Sequence, residues 1–258
     1  MESHRIILYV HPVFSEDYNN VARRFADTYK RFPAGASHKL WVICNGGVLS
    51  PQQKAIYAGT NPVFMSRDNT GWDVGAFLDA CTAIVESGVK CDMVMCCGSN
   101  THFKRAGWLR RLSDVWDKNG PGMYGVTASY EIRPHFNTSS FVCPPKLVAD
   151  YPFSVTCMED RYHFEWGSRS LMRQAESAGM PVLLVTWDGE YPVSQFRKAR
   201  NGYRNGDQSG CLAYFRHSDT YDAAPQDQRF HLAEYADGLR SNTPEIHALR
   251  MKIDSLYG

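Results

Sequence analysis

PVFMSRDNTGWDVGAFLDACTAIVESGVKCDMVMCC, residues 62–97, holds a complete strand–helix–strand unit. Pro62–Ser66 has the length and apolar content of a short strand. Asp73–Glu86 carries Val74, Phe77, Leu78, Cys81, Ile84 and Val85 at helical spacing, and Gly88 marks its end. Asp92–Cys97 is again short, apolar and strand-like. Two short strands joined through a helix read as neighbours in a parallel sheet.

The same rhythm extends on both sides. Upstream, Arg5–Val10 is a buried strand, and Ser15 caps a helix with Glu16 and Asp17 in its first turn. Tyr18, Val21, Ala22, Phe25, Tyr29 and Phe32 follow at helical spacing, and Pro33 closes the element. Lys39–Cys44 is a strand stopped by Asn45-Gly46-Gly47, and Ser50–Ala58 is a short helix. Downstream, Lys104–Trp116 is a helix and Gly122–Ala128 a strand. The expected fold is α/β and Rossmann-like, a mostly parallel central sheet flanked by helices.

After Tyr130 the pattern changes. Ser139–Cys143 reads as an antiparallel strand halted by Pro144-Pro145. A helix is expected from Glu165 or Ser168 to Ala178, then a strand over Pro181–Trp187. Residues 189–210, rich in Gly, Arg, Asn and Gln, read as a mobile loop covering a site, and helices near 226–237 and 243–256 finish the chain. No linker splits the 258 residues, so the expectation is one domain in three stretches: about 1–128, 129–190 and 191–258.

Lys and Arg total 28 against 27 Asp and Glu, which argues against a nucleic-acid partner. No apolar run approaches the roughly 18 residues that span a bilayer. Ile6–Val10 reads as a first strand rather than a signal peptide, so a soluble cytoplasmic protein is expected. The eight cysteines form no CxxC pair, and Cys96-Cys97 would point to opposite faces of a strand; they read as reduced, structural thiols.

Ligands of parallel α/β sheets bind beyond the carboxyl ends of the strands. The polar residues there are His11 after the first strand, Asn45 after the second, Arg67, Asn69, Gly71, Asp73 and Gly75 after the third, and Ser99 and Asn100 after the fourth. Gly71 and Gly75 flank Asp73 where a helix begins, which suits close approach of a diphosphate or sugar hydroxyls. Asp73 either binds such hydroxyls or caps its own helix. GxGxxG, the dinucleotide fingerprint, is absent.

Asn69-x-Gly71-x-Asp73-x-Gly75-Ala76, then Trp108-Leu109-x-x-Leu112, then Phe164-Glu165-x-Gly167-x-x-x-Leu171 ahead of Ala178-Gly179, resembles the rhamnan-synthesis type of glycosyltransferase. That group is related to the wider GT-A nucleotide-sugar transferases. The resemblance covers roughly residues 5–190. It implies a GT-A-like fold, with a small antiparallel acceptor-side portion. It also implies a UDP-, GDP- or dTDP-linked sugar donor bound by the first half, and a later half that shapes the acceptor site and supplies the base. GT-A enzymes usually hold Mn or Mg with Asp-x-Asp after the fourth strand, where this chain reads Gly98-Ser99-Asn100. Neutral Ser and Asn are weak ligands for hard cations. The donor is then held without metal, its charge offset by backbone amides and by cations such as Arg67, Lys104, Arg105 or the arginines of 197–204, or a metal ligand comes from elsewhere.

Four later groups supply candidates. His135, Asn137 and Thr138 sit in a segment mixing aromatic, amide and hydroxyl groups suited to an acceptor sugar, and Trp187 and Asp188 end the last strand. Glu159–Glu165 packs three carboxylates and a histidine into seven residues. Asp160 and Glu165 stand equally as the base that takes the acceptor's proton, an arrangement that favours inversion. By resemblance, a late histidine, His217, contacts metal or diphosphate. The readings are a glycosyltransferase acting on a glycan acceptor, a glycan-binding module without transfer, and a nucleotidyltransferase, whose usual clustered carboxylates are missing at the strand ends.

Overall fold

The computed structural model describes residues 4–239, so the helix expected over 243–256 lies outside the described residues. In chain order the elements are β1 (Arg5–Pro12), α1 (Glu16–Arg31), β2 (Lys39–Asn45), α2 (Pro51–Ala55), β3 (Val63–Arg67), α3 (Trp72–Glu86), β4 (Met93–Cys97) and α4 (Trp108–Asn119). Then come β5 (Met123–Gly125), β6 (Ala128–Ser129), β7 (His135–Phe136), β8 (Ser140–Cys143), α5 (Pro145–Ala149), α6 (Met158–Glu165) and α7 (Leu171–Ser177). Last are β9 (Val182–Val185), β10 (Glu190–Pro192), a 3-10 turn (Val193–Lys198), α8 (Arg216–Ala223) and α9 (Gln226–Ala236).

Eight strands form one sheet in the order β10-β9-β5-β8-β4-β1-β2-β3, and β6 and β7 pair separately. β1 runs parallel to β2 and β4, β2 to β3, and β5 to β9. β8 lies antiparallel between β4 and β5. The chain steps outward from β1 to β3, then returns across β1 to β4. The order therefore reverses between β1 and β4, and ligands of open α/β sheets bind in the crevice at such a point.

Alternation fills both faces. Ile6, Leu8, Val10 and Cys96 join the core under α3, whereas Ile7, Tyr9 and Cys97 join the one under α1 and α4. On the second face Phe25 stacks on Tyr9 with ring centroids 3.7 Å apart, and Trp108 on Phe103 at 3.9 Å. Each such ring contributes roughly 1.5–3 kcal/mol by leaving water. Val85, expected on the buried face of α3, is 42% exposed. No helix among the described residues is long and apolar enough to cross a membrane.

Four local expectations need correction. α4 begins at Trp108 rather than Lys104, because Gly107 turns the chain at φ +87° and donates to the Pro33 carbonyl at 2.7 Å. The strand expected over 122–128 breaks after Gly125, where a Cβ would strike the Phe136 ring, and β6 continues into the small ribbon. Glu165 closes α6 instead of opening the next helix; the Asp160 cap starts α6 earlier, and Ser170 starts α7. Finally, residues 189–210 are packed rather than draped: Phe196, Ala199, Tyr203 and Gln208 are buried. The backbone folds tightly through positive φ at Asn201, Arg204, Gly206 and Gln208.

Candidate functional site

The turn after β3 is built around Arg67. Its Nε donates to Asp79 Oδ2 at 2.6 Å, Nη2 to the Thr70 carbonyl at 2.7 Å, and Nη1 to Asn45 Oδ1. Asn45 Nδ2 in turn donates to Asn69 Oδ1 at 2.6 Å. Each of the three guanidinium nitrogens thus has a partner within the protein, and the group braces the turn. Gly71 and Gly75 also face protein: a Cβ would strike the Val155 carbonyl at the first and the Thr70 carbonyl at the second. Gly71 further sits at φ +72°, a left-handed conformation that favours glycine.

Asp73, partly buried, points from the first turn of α3 to the turn after β4. A Cβ on Gly98 would lie 2.8 Å from its Oδ2. Desolvation raises the Asp73 carboxyl above the ordinary range, while the Arg161 guanidinium and the Ser99 backbone N–H pull it back. Tyr9 donates to the Ser99 carbonyl at 2.8 Å and fixes that turn from below. Asn100 Nδ2 donates to Ser99 Oγ at 3.3 Å. Asp73 is the carboxylate that reaches this turn, and among the described residues no group of three His, Cys, Asp or Glu stands close enough to hold a metal. One carboxylate beside the neutral Ser99 and Asn100 is a sparse donor set, and a hard cation there would take its remaining oxygens from water or a bound diphosphate.

His11, buried at the end of β1, contacts Asn19 Oδ1 through Nε2 at 3.3 Å and Tyr57 Oη through Nδ1 at 2.8 Å. An amide oxygen only accepts, so Nε2 carries the proton and Nδ1 accepts from Tyr57. Burial lowers the pKa of this ring and keeps it neutral. Above it, a polar cleft of about 440 Å³ opens between the starts of α1 and α2.

A second cleft, of about 320 Å³, brings together residues from the segments around His135, Glu165 and His217. His135 and Asn137 line one wall, Arg161 and Glu165 of α6 another, and Arg204 and His217 close it. The His135 Nδ1 lies 2.6 Å from the Arg133 carbonyl, which leaves Nε2 as the acceptor of the neutral ring. Asn137 Oδ1 accepts from the Ser139 N–H at 2.8 Å. Glu165 Oε1 accepts from the Thr138 N–H at 3.1 Å. The pKa of His217 is lowered by desolvation, then by Arg204 and Arg216, against the pull of Glu165.

Other candidates lie elsewhere. The Asp160 carboxylate caps α6, accepting from Thr156 N (2.9 Å), Thr156 Oγ1 (3.0 Å) and Cys157 N (3.1 Å). Those bonds, the one from Thr156 N–H foremost, hold its pKa below the ordinary value. Trp187 Nε1 donates to the Cys211 carbonyl at 2.9 Å, and Arg105 covers its ring at 4.2 Å. Asp188 belongs to a tight turn on Thr186 Oγ1. Lys104 pairs with Asp222 at 2.7 Å. None of these lines the cleft.

Sequence reasoning missed Arg161, Tyr162 and Trp166 as site residues. Their signal was helical spacing: Arg161 and Glu165, like Tyr162 and Trp166, are four apart and share a face of the chain around α6. Arg204 stood only among several loop arginines; its burial depends on tertiary packing. No family model matches the chain, and no curated protein matches it in sequence.

Proposed function

We propose that this chain is a GT-A-like glycosyltransferase that moves a sugar from a nucleoside diphosphate donor to a hydroxyl of a glycan acceptor. The observation that carries the reading is the cleft itself. It joins an oriented carboxylate (Glu165), two imidazoles (His135 and His217), two arginines and the aromatic residues Tyr162, Trp166 and Tyr203 in one concavity. Flat rings suit the C–H faces of a sugar, and the polar groups suit its hydroxyls. The crevice between β1 and β4 and the Asp73 turn support a donor held nearby.

In this reading Glu165 takes the proton of the acceptor hydroxyl as its oxygen bonds to the anomeric carbon. The anomeric carbon–oxygen bond to the diphosphate breaks, and the diphosphate leaves with that electron pair. Attack from the opposite side inverts the centre. Asp160 does not line the cleft and Glu165 does, so Glu165 is the better base.

A glycan-binding module without transfer is the second reading, and one observation favours it: the glycines at Asp73 are packed against protein. A panel of UDP-, GDP- and dTDP-sugars separates the two. Transfer predicts a raised melting temperature with at least one nucleotide and slow donor hydrolysis. Tight glycan binding with no nucleotide effect would reject it.

A further inference from the structure

The Arg161 Nε is buried and makes no hydrogen bond among the described residues. A buried, unpaired charged donor is costly, and a native fold keeps one where something else completes it. It lines the cleft together with His217, and it interacts electrostatically with Asp73 and with His217.

Arg204 faces the same cleft. Its side chain is 9% exposed and sits 3.6 Å from Glu131 Oε2, beyond hydrogen-bond length. Its backbone is left-handed at φ +51°, which costs a non-glycine residue free energy. Gln208 imposes that conformation: Oε1 accepts the Arg204 N–H at 3.1 Å, and Nε2 donates to the Ser218 carbonyl at 3.0 Å and to Asp222 at 2.7 Å. The loop thus holds Arg204 in the wall of the cleft, with its guanidinium 4.8 Å from the centre of the Tyr203 ring.

We infer that Arg161 and Arg204 form a phosphoryl-binding wall, and that the group it takes is the diphosphate of a nucleotide-linked sugar. The second half of this inference rests on the glycosyltransferase reading; the first half does not. Guanidinium groups match phosphoryl oxygens in pairs, and an oxygen at hydrogen-bond length outcompetes the loose contact to Glu131. The opposing charges in the cleft are Glu131 and Glu165, and Glu165 has one oxygen held by Thr138. Arg161 and Glu165 lie one turn apart on α6, so a single helix carries both the cation for the departing diphosphate and the base for the incoming hydroxyl.

The test is calorimetry on the full chain with inorganic pyrophosphate, UDP, GDP and glucose 1-phosphate, repeated with Arg161→Gln, Arg161→Lys and Arg204→Gln. The wild type should bind pyrophosphate and bind a nucleoside diphosphate more tightly. Each Gln variant should weaken both by at least about tenfold, and Arg161→Lys by less. If Arg204→Gln fails to fold, Arg161→Gln decides alone. Pyrophosphate binding that is absent, or equal in wild type and Arg161→Gln, overturns the wall. A preference for the sugar phosphate over both nucleotides overturns the diphosphate assignment. Pyrophosphate binding without turnover of any donor rejects the transferase reading and leaves the wall standing.

Discussion

Glu165 and Thr138 lie 27 residues apart in the chain and meet where the Thr138 backbone N–H donates to the Glu165 carboxylate at 3.1 Å. The bond ties the end of α6 to the loop leading into β8, the antiparallel strand beside β4. One carboxylate oxygen is thereby fixed from two elements, and the other makes no hydrogen bond among the described residues. A base needs that combination of fixed position and open acceptor. Asp160, five residues earlier on the same helix, is also held, through three hydrogen bonds to Oδ2 that close the first turn of α6, but it does not line the cleft.

That contrast is measurable. Asp160→Ala should lower stability by about 1 kcal/mol, the usual cost of a lost cap. Turnover per folded molecule should fall far less than in a Glu165 variant. Denaturant titration beside donor-turnover assays checks this. Loss of turnover at unchanged stability would make Asp160 a participant.

The Asp73 turn gives a second expectation. In Gly75→Ala the new methyl meets the Thr70 carbonyl, the same oxygen that accepts from Arg67. The turn must open, and the loss should be about 2–4 kcal/mol. A denaturation midpoint equal to that of the wild type would show that the turn yields to the methyl without cost.

Acid should weaken the attachment of α8. His102 is buried, and Arg24 donates from Nη2 to its Nε2 at 2.6 Å while pairing with Asp219 at 2.6 Å. Desolvation, then Arg24, push the His102 pKa down to about 4, and Asp219 opposes them. In the unfolded chain this ring takes a proton near its ordinary value of about 6.5, whereas the folded state refuses it until about 4. Stability is therefore full above the upper value and falls as pH drops through that window. Melting temperature against pH should decline there, and His102→Asn should flatten the decline. An equal decline in the variant would place the titration elsewhere.

Periodicity carried the first half of the fold well. β1 to β4 and the helices between them depend on runs such as Arg5–Val10 and Val74–Ile84, whose burial pattern is written in their spacing. The later half depends on contacts that spacing does not encode. β5 ends at Gly125 because the Phe136 ring packs there, and residues 193–208 fold down because Phe196 and Gln208 are buried. The site divides in the same way. His135, Asn137, Glu165 and His217 were legible as chemistry, and the structure brings them to one cleft. Arg67 and Trp187 looked equally suitable, yet hydrogen bonds within the protein occupy both. Arg161 and Arg204 differ from surface arginines only in where packing places them.

The most direct measurement is the rate of sugar transfer or donor hydrolysis by Glu165→Gln, with donor binding followed on the same sample. The account predicts a rate lower by roughly 10²–10⁴-fold, the usual contribution of a positioned base, with the nucleotide-induced rise in melting temperature retained. A variant that turns over donor at the wild-type rate would contradict it.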